Sequence, residues 1–355
     1  LGGSLALSHP HLFSPTVVFL EAHVHRQITQ AIQAMEAVAA LPSWKEQALG
    51  RAPAIARQHW GPAGVFMGYD FHLTSQGPKL IEINSNAGGA FLMSAAARAH
   101  RACCEAFEVF LGTGSEPQSL EAAVVDMFQS EWRTQRPNQP LRNVLIVDDR
   151  PGEQYLAPEF EIVRALLADQ GWLAVVADPQ ELQWRDGALW HPALPANMPV
   201  DLVYNRLTDF YLQEPAHMAL RQAYETGAAV VTPGPRTHAL HADKRNLITL
   251  SNPALLRSWG VDEPALDLLA QIVPCTQAVN AAEADSLWAQ RRGLFFKPVA
   301  GFGSRGAYRG DKLTRRVWSD ILASDYVAQA TVAPSERLVM VQGEARHMKV
   351  DLRAY

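Results

Sequence analysis

The segment 142–177 constrains the fold more than any other part of this sequence. The apolar run in RNVLIVDDRPGEQ predicts a strand, FEIVRALLADQGW predicts an amphipathic helix, and LAVVAD predicts a second strand. This succession forms a βαβ unit, in which the two strands are parallel. Later strands in VDLVYNRL and GAAVVTPGP continue the pattern, so we predict an α/β protein with a parallel sheet at 142–236.

Polar residues follow these strands, namely Asp148, Asp149, Arg150, Asn205, Arg206, Thr208 and Asp209. Open α/β sheets bind ligands beyond the carboxyl ends of their strands. Arg150, Asn205 and Arg206 are therefore candidate substrate residues. The alternative for each of them is a capping or turn role.

A second pattern lies near the beginning of the chain, where VFMGYDFHLT and KLIEIN flank a turn at 75–78 and predict a β-hairpin. Leu80, Glu82 and Asn84 are expected on one face of the second strand, because side chains alternate between faces. Two oxygen ligands about 6.6 Å apart on a strand face can hold a hard cation. The alternative is an edge strand with a solvated face.

Helices are predicted at 21–41 and 90–112 from apolar residues at helical spacing. His23 and His25 lie two residues apart on the first helix, so they diverge and do not chelate a metal. Cys103 and Cys104 fall on the second helix, which is expected to be buried, so no nucleophile is assigned there. The polar, proline-containing stretch that follows predicts a boundary or linker.

The composition describes a globular chain of two or three domains, with 355 residues, 48% of them hydrophobic and 19% charged. A formal charge of −5 predicts neither a nucleic-acid nor a membrane partner. Three cysteines form neither a disulfide framework nor a zinc pattern, which favours a reducing cytoplasm. The first residue is Leu, so we expect a processed, trimmed or fragmentary chain.

Residues 301–306, GFGSRG, match the dinucleotide fingerprint G-x-G-x-x-G. That fingerprint requires a helix after the loop, whereas AYRG predicts a short strand. We therefore predict a glycine-rich hairpin over nucleotide phosphates, because glycine lets backbone N–H groups approach phosphate oxygens. Lys297 on the preceding strand can reach the same phosphates, and Lys244 is a second candidate. The alternative is a structural hairpin at the surface.

Together these pieces resemble the ATP-grasp superfamily. The matching motifs are Glu82-Ile83-Asn84, Asp243-Lys244, Pro274-Cys275-Thr276, Lys297-Pro298, the loop 301–306 and Asp351-Leu352-Arg353. The Glu-x-Asn motif precedes all the others, an order similar to the circularly permuted ATP-grasp group of eukaryotic glutathione synthetase and glutathionylspermidine synthetase.

The resemblance implies ATP and Mg²⁺ as cofactors and assigns site residues. Its implied magnesium ligands are Glu82, Asn84 and Asp351; its implied nucleotide contacts are Lys244, Lys297, Gly301, Gly303, Ser304, Gly306, Val327, Ala328 and Gln329. Lys297 and Arg353 are the implied catalytic residues, Arg353 acting on the transferring phosphoryl group or the acyl-phosphate. The alternative for Arg353 is a structural salt bridge.

The resemblance also divides the chain into four regions. These are a helical region with the permuted magnesium-binding hairpin (1–115), a linker (116–141), a pre-ATP-grasp βαβ domain (142–236) and a nucleotide-binding region incomplete at its C-terminal end (237–355). The fold class expected is thus α/β with α+β subdomains.

The function implied is an ATP-dependent ligase that joins a small-molecule carboxylate to an amine through an acyl-phosphate and releases ADP and phosphate. A homodimer is common among such ligases. Two alternatives stay open: an ATP-binding protein whose catalysis is lost or redirected, and a non-nucleotide α/β binding or scaffold protein. A bifunctional synthetase–amidase is disfavoured, since no Cys/His amidase module is recognisable.

Overall fold

The computed structural model describes residues 9, 12–13, 18–103, 120–301, 306–341 and 343–355. The chain divides into two compact units. Unit 1 contains the described residues of 1–17, 53–67 and 85–237, and unit 2 contains 18–52, 68–84 and those of 238–355.

In chain order, the described strands are β1 (Gly68–Thr74), β2 (Gly77–Asn84), β3 (Asn143–Val147), β4 (Leu173–Ala177), β5 (Gln183–Arg185), β6 (Ala188–Trp190), β7 (Leu202–Asn205), β8 (Val230–Thr232), β9 (Thr276–Ala278), β10 (Leu294–Pro298), β11 (Tyr308–Arg309), β12 (Tyr326–Ala330), β13 (Ser335–Val341), β14 (Glu344–Val350) and β15 (Leu352–Ala354). The described α-helices are Ala22–Ala40, Pro42–Arg51, Ala90–Cys103, Leu120–Gln135, Ala157–Ala168, Met218–Thr226, Pro235–Thr237, Asn246–Leu250, Pro253–Ser258, Glu263–Ile272, Ala284–Gln290 and Arg315–Leu322. None of the helices in these ranges is long and apolar enough to cross a bilayer.

Unit 1 is built on the parallel sheet β4-β3-β7-β8, which confirms the βαβ prediction. Both faces of the sheet are buried. Val144 and Ile146 pack with Phe128 and Phe160 on one side, whereas Leu145 packs with Leu220 and Tyr224 on the other. Helices therefore cover both faces, which explains why β3 reads as a continuous apolar run rather than an alternating one.

The predicted linker at 116–141 differs from the structure, because Leu120–Gln135 is a helix of unit 1. Its prolines, at positions 117, 137 and 140, flank the helix and do not interrupt it. Val124, Phe128 and Trp132 recur every four residues and are buried in the core. Of the predicted helix 90–112, the structure describes Ala90–Cys103; Cys104 lies outside the described residues.

Unit 2 combines the three-stranded sheet β15-β1-β2, the four-stranded sheet β11-β10-β12-β9 and the hairpin β13-β14. Strands β1 and β2 form the predicted hairpin, and they share a sheet with β15 from the far end of the described chain. The four-stranded sheet buries Phe296 and Ala328 against Trp318 and Ile321. The other face of that sheet carries the side chains of the candidate site.

The β1-β2 ladder contains a bulge that the sequence did not predict. Phe71 pairs with Leu80 but Asp70 pairs with Glu82, so Ile81 is an extra residue. Leu80 and Ile83 are the buried side chains, whereas Glu82 and Asn84 are partly exposed. The expectation that Leu80 shares a face with Glu82 and Asn84 is wrong, because the extra residue interrupts the alternation.

Candidate functional site

The polar face of the three-stranded sheet in unit 2 collects three predicted site residues. Asp70 is paired with Arg353 on one side and with Glu82 on the other, and Asn84 is paired with Gly68. Directly paired residues of antiparallel strands share a face. Glu82, Asn84 and Arg353 therefore lie on the same face around Asp70, which the sequence analysis did not single out.

Asp70 binds Arg353 through both carboxylate oxygens. The Nε of Arg353 donates to Oδ1 at 2.5 Å and Nη2 donates to Oδ2 at 2.7 Å. These hydrogen bonds raise the pKa of Arg353 further above its ordinary value. Such a two-point, charge-assisted contact fixes the plane of the guanidinium. The structural salt bridge foreseen as the alternative for Arg353 is thus present.

Asn84 connects the two carboxylates of this face. Its Nδ2 donates to Asp70 Oδ2 at 3.1 Å and to Glu82 Oε1 at 3.5 Å. The amide therefore presents its donor to the carboxylates. Ligation of a cation by Asn84 Oδ1 alongside Glu82 requires the amide to turn over.

Asp351 lies at the junction between β14 and β15, where the predicted strand RHMKVDLRAY is divided between two sheets. Its carboxylate is largely exposed and contacts His72 Nε2 at 3.1 Å, while His72 Nδ1 is 3.1 Å from the Val332 carbonyl. His72 lies two residues from Asp70 on β1 and shares its face, so this contact places the Asp351 carboxylate beside that face. Its predicted role as a magnesium ligand stays a prediction.

Lys297 enters the site from β10 and is buried, with 6% of its surface exposed. Its Nζ donates to the Ile81 carbonyl at 2.7 Å and to Gln329 Oε1 at 2.8 Å. Burial lowers the pKa of Lys297 to about 8; nearby Glu82 opposes the change and Lys244 adds to it. The bulge residue Ile81 thus supplies an acceptor to a lysine whose direct partners are neutral.

Lys244 is the second cation of the site. Its Nζ donates to the Gly301 carbonyl at 2.5 Å. Burial lowers the pKa of Lys244, against the opposing effects of Glu82 and Asp243. Its neighbour Asp243 is buried and forms an ion pair with Arg245, so the Asp of the Asp-Lys motif anchors the turn that presents the lysine.

The glycine loop begins and ends as predicted, since β10 pairs with β11 in an antiparallel hairpin. Gly306 has a φ of +69°, and a Cβ there would lie 3.1 Å from the Tyr326 hydroxyl. Glycine is thus favoured at the end of the loop. Gly303 and Ser304 lie outside the described residues.

Three of the predicted nucleotide contacts, Val327, Ala328 and Gln329, lie on β12. Val327 and Ala328 are fully buried and pair with β10 on one side and β9 on the other. That pairing engages their backbone groups and makes a backbone contact with a ligand unfavourable there. Gln329 differs, because its side chain lies on the Lys297 face and its buried Nε2 has no hydrogen-bond partner.

These features fit a magnesium polyphosphate. Lys297 is buried and Lys244 is half-buried, and each ammonium group donates to neutral acceptors, so an anionic ligand would stabilise both charges. Glu82 follows Ile81, whose carbonyl accepts from Lys297, and the Glu82 carboxylate opposes the lowering of the pKa of both lysines. Carboxylate and amide oxygens beside two lysines are the donor set that Mg²⁺ and phosphates require. The unpartnered Gln329 Nε2 adds one donor.

The substrate candidates of unit 1 are held by protein groups. Asn205 is buried, donates to the Pro233 carbonyl and accepts the Leu207 N–H. Arg206 is buried, and its Nη1 donates to the carbonyls of Asn86 and Ala87. Arg150 is exposed, adopts a φ of 43° and forms an ion pair with Glu153 at 3.0 Å. Their predicted substrate role stays a prediction.

The chain has the fold of a glutathione synthetase-like protein of known structure. It is similar to a glutathione synthetase-like effector from Globodera pallida, with a TM-score of 0.55, 13% identity, and coverage of 90% of this chain and 74% of that one. This likeness establishes the fold.

Two further solved structures are similar over parts of the fold. A putative gamma-glutamylcysteine synthetase from Methylobacillus flagellatus has a TM-score of 0.44 at 10% identity and covers 90% of this chain and 78% of its own. The ATP-grasp ligase PsnB, complexed with a minimal precursor, has a TM-score of 0.33 at 17% identity and covers 58% and 75%. No family model and no curated protein sequence matches the chain.

Proposed function

We propose that this chain is a circularly permuted ATP-grasp ligase that joins a carboxylate to an amine and forms ADP. The observation that supports this most is the position of Lys297 in unit 2. Its Nζ contacts β2, the strand that carries Glu82 and Asn84, while Lys244 contacts Gly301 at the start of the glycine loop. The pairing of β1 with both β2 and β15 agrees with a permuted order, because the Glu-x-Asn and Asp-x-Arg motifs then occupy one sheet.

The proposed reaction has two steps. The substrate carboxylate oxygen attacks the γ-phosphorus of ATP, the bond from that phosphorus to the bridging oxygen breaks, and ADP leaves. The amine nitrogen then attacks the acyl carbon of the acyl-phosphate, the bond from carbon to the phosphate oxygen breaks, and phosphate leaves while the nitrogen loses a proton. Alignment and charge neutralisation are the main requirements of such a phosphoryl transfer.

Different residues of unit 2 would bind the phosphates, the Mg²⁺ ion and the transferring group. Lys244, which is half-buried, and Lys297, which is buried, would bind phosphate oxygens as point charges. Glu82, Asn84 and Asp351 would hold Mg²⁺, which neutralises phosphate charge when bound. Arg353 would face the transferring group from a position fixed by Asp70. We further propose that small-molecule carboxylates and amines are the substrates, that the compartment is the cytoplasm and that the association is a homodimer.

The test is a calorimetric titration of ATP into the wild-type chain, with and without Mg²⁺. We expect binding that requires Mg²⁺ and that weakens about 10- to 100-fold in Lys297→Met, since a charge-assisted hydrogen bond contributes roughly 1.5–3 kcal/mol. Lys349→Met is the matched control, because Lys349 is exposed on β14. A wild-type chain that does not bind Mg·ATP would overturn the proposal.

One observation favours a second candidate, an ATP-binding protein with lost or redirected catalysis. Arg353, the residue proposed for the transferring group, is already engaged by Asp70 at two points. ADP release measured with pooled carboxylates and amines separates the two candidates. Release that depends on both substrates supports the ligase, whereas tight binding of Mg·ATP without turnover supports the binding protein.

A further inference from the structure

Unit 1 carries a cluster of ligand-type side chains at the carboxyl ends of its parallel strands. Asp149 follows β3, and Asp209 follows β7. Glu214 and His217 flank and end the short 3₁₀ helix Pro215–His217. Crevices at this edge are where open α/β sheets bind their ligands.

His217 lies at the centre of the cluster, with a side chain that is fully buried. Its Nδ1 is 2.8 Å from Asp209 Oδ2, and its Nε2 is 2.9 Å from Asp149 Oδ1. One ligand atom each from Asp149, Glu214 and His217 lie within 4.8 Å of one another. These separations suit three ligands of a single ion, since Zn²⁺ binds nitrogen and oxygen at about 2.0–2.2 Å.

Asp209 occupies the position of a residue that orients a ligating histidine. Its Oδ2 contacts His217 Nδ1 and also accepts the Glu214 N–H at 2.8 Å, so it connects two of the three candidate ligands. Metal-binding histidines almost always donate their second ring N–H to such a carboxylate or carbonyl group. With a proton held on Nδ1 by this contact, the Nε2 lone pair would be available to a metal ion.

The cluster carries an excess of negative charge, which a bound cation would neutralise. Three carboxylates, of Asp149, Asp209 and Glu214, surround one imidazole, so the cluster stays negative even when that ring is protonated. The carboxylates of Asp209 and Asp149 contact the two ring nitrogens of His217, so a divalent ion bound at Nε2 would lie beside negative charge.

We propose that Asp149, Glu214 and His217 bind a divalent transition-metal ion of the Zn²⁺ class, with Asp209 as the positioning residue. The imidazole selects such ions over Mg²⁺ and Ca²⁺, which prefer oxygen ligands. Three protein ligands leave a coordination position open for water or for a carboxylate ligand. Exposed Glu214 lies on the solvent side of the cluster and gives the ion a path of entry.

The experiment titrates ZnCl₂ into the tag-free chain by calorimetry and repeats the titration with CoCl₂ followed by visible absorption. We expect about one equivalent of each ion to bind and intense d–d bands from Co²⁺ in a four- or five-coordinate site. Glu214→Gln and Asp149→Asn should each weaken Zn²⁺ binding by at least about tenfold, and Asp209→Asn by about 10- to 100-fold.

The matched control is His191→Gln. His191 is also a buried histidine of unit 1, but its ring contacts a single carboxylate, that of Glu181 at 3.4 Å. We expect the Zn²⁺ affinity of His191→Gln to equal that of the wild type. Because Glu214 is exposed, Glu214→Gln should keep the wild-type melting temperature. A loss of Zn²⁺ binding in this variant would then reflect the missing ligand and not an unfolded protein.

Two results would overturn the proposal. One is a wild-type chain that binds neither ion, which would leave His217 as an imidazolium paired with two aspartates. The other is binding that Glu214→Gln and Asp149→Asn leave unchanged, which would place the ion elsewhere.

Discussion

Arg353 donates to both carboxylate oxygens of Asp70 although the two residues are 283 positions apart in the chain. The contact holds β15 to β1 and is partly shielded from water, with 34% of the Arg353 side chain and 17% of the Asp70 side chain exposed. The ion pair therefore stabilises the sheet and also fixes the position of Arg353 in the candidate site.

Asp70→Asn should lower the free energy of unfolding by about 1–2 kcal/mol, because hydrogen bonds to charged groups contribute more than neutral ones. The measurement is urea denaturation. Glu344→Gln is the matched control, since it removes an exposed ion pair with Arg346 and should cost less than about 0.5 kcal/mol. Equal losses in the two variants would mean that the Asp70 pair does not stabilise the sheet.

Lys297 should make stability depend on pH. Because the pKa of Lys297 is about 8 in the folded chain and 10.5 ordinarily, the unfolded chain binds more protons there between these two values. The free energy of unfolding should thus rise as the pH increases from 8 to 10.5, by a total on the order of 3 kcal/mol.

Urea denaturation of the wild type and Lys297→Met across this pH range measures the effect. The variant should lack the rise, whereas Lys349→Met should retain it because Lys349 is exposed. Parallel profiles for the wild type and Lys297→Met would contradict the burial of a charged lysine at this position.

Gly88 should not tolerate a side chain. A Cβ at this position would lie 2.4 Å from Arg206 Nη2 and 2.5 Å from Leu156 Cδ1. Arg206 cannot yield freely, because its Nη1 donates to the carbonyls of Asn86 and Ala87. Gly88→Ala should cost about 1–3 kcal/mol by overpacking.

Thermal denaturation checks this expectation, with Gly152→Ala as the control. A Cβ at Gly152 meets nothing within 4 Å, so that variant should be neutral or slightly stabilising. A Gly88→Ala melting temperature equal to that of the wild type would show that Arg206 has room to move.

Thr232 completes a buried hydrogen-bond network in unit 1. Its Oγ1 donates to Glu131 Oε2 at 2.5 Å and accepts the Val65 N–H at 3.1 Å. Thr232→Val should cost about 2–3 kcal/mol, since it removes the acceptor of the Val65 N–H and one of the donors to the buried Glu131 carboxylate. Chemical denaturation measures the loss; Thr226→Val, on an exposed helix position, should change stability by less than about 0.5 kcal/mol. A loss no larger than this control would contradict the network.

The parts of the fold that sequence predicts are those set by local periodicity. The β3-helix-β4 unit and the β1-β2 hairpin follow from apolar runs and from the turn at Ser75-Gln76. The helix Leu120–Gln135 was obscured by prolines that lie outside it, although its apolar residues recur at helical spacing. The flanking prolines led to a linker prediction, although the spacing of the apolar residues indicates a helix.

The sequence motifs name the candidate site residues but do not predict their geometry. With Thr74 paired to Gly77, an unbroken ladder would place Ile81 opposite Asp70; only the bulge brings Glu82 there. No local pattern marks Ile81 as the extra residue. Its carbonyl accepts a hydrogen bond from Lys297, which lies 216 positions away in the chain, so the contact cannot be read from the neighbouring sequence. Asp70 was missed for the same reason, since its partner Arg353 is distant in sequence.

The pairing of β1 with β15 has a consequence for how unit 2 is made in the cell. At about 5–20 residues per second, a ribosome takes roughly 15–55 s to travel from Asp70 to Arg353. During that interval β1 has β2 beside it, but its other edge is an unsatisfied row of N–H and C=O groups open to a foreign strand. Until β15 emerges, this edge of β1 should therefore be the part of unit 2 most exposed to pairing with other chains.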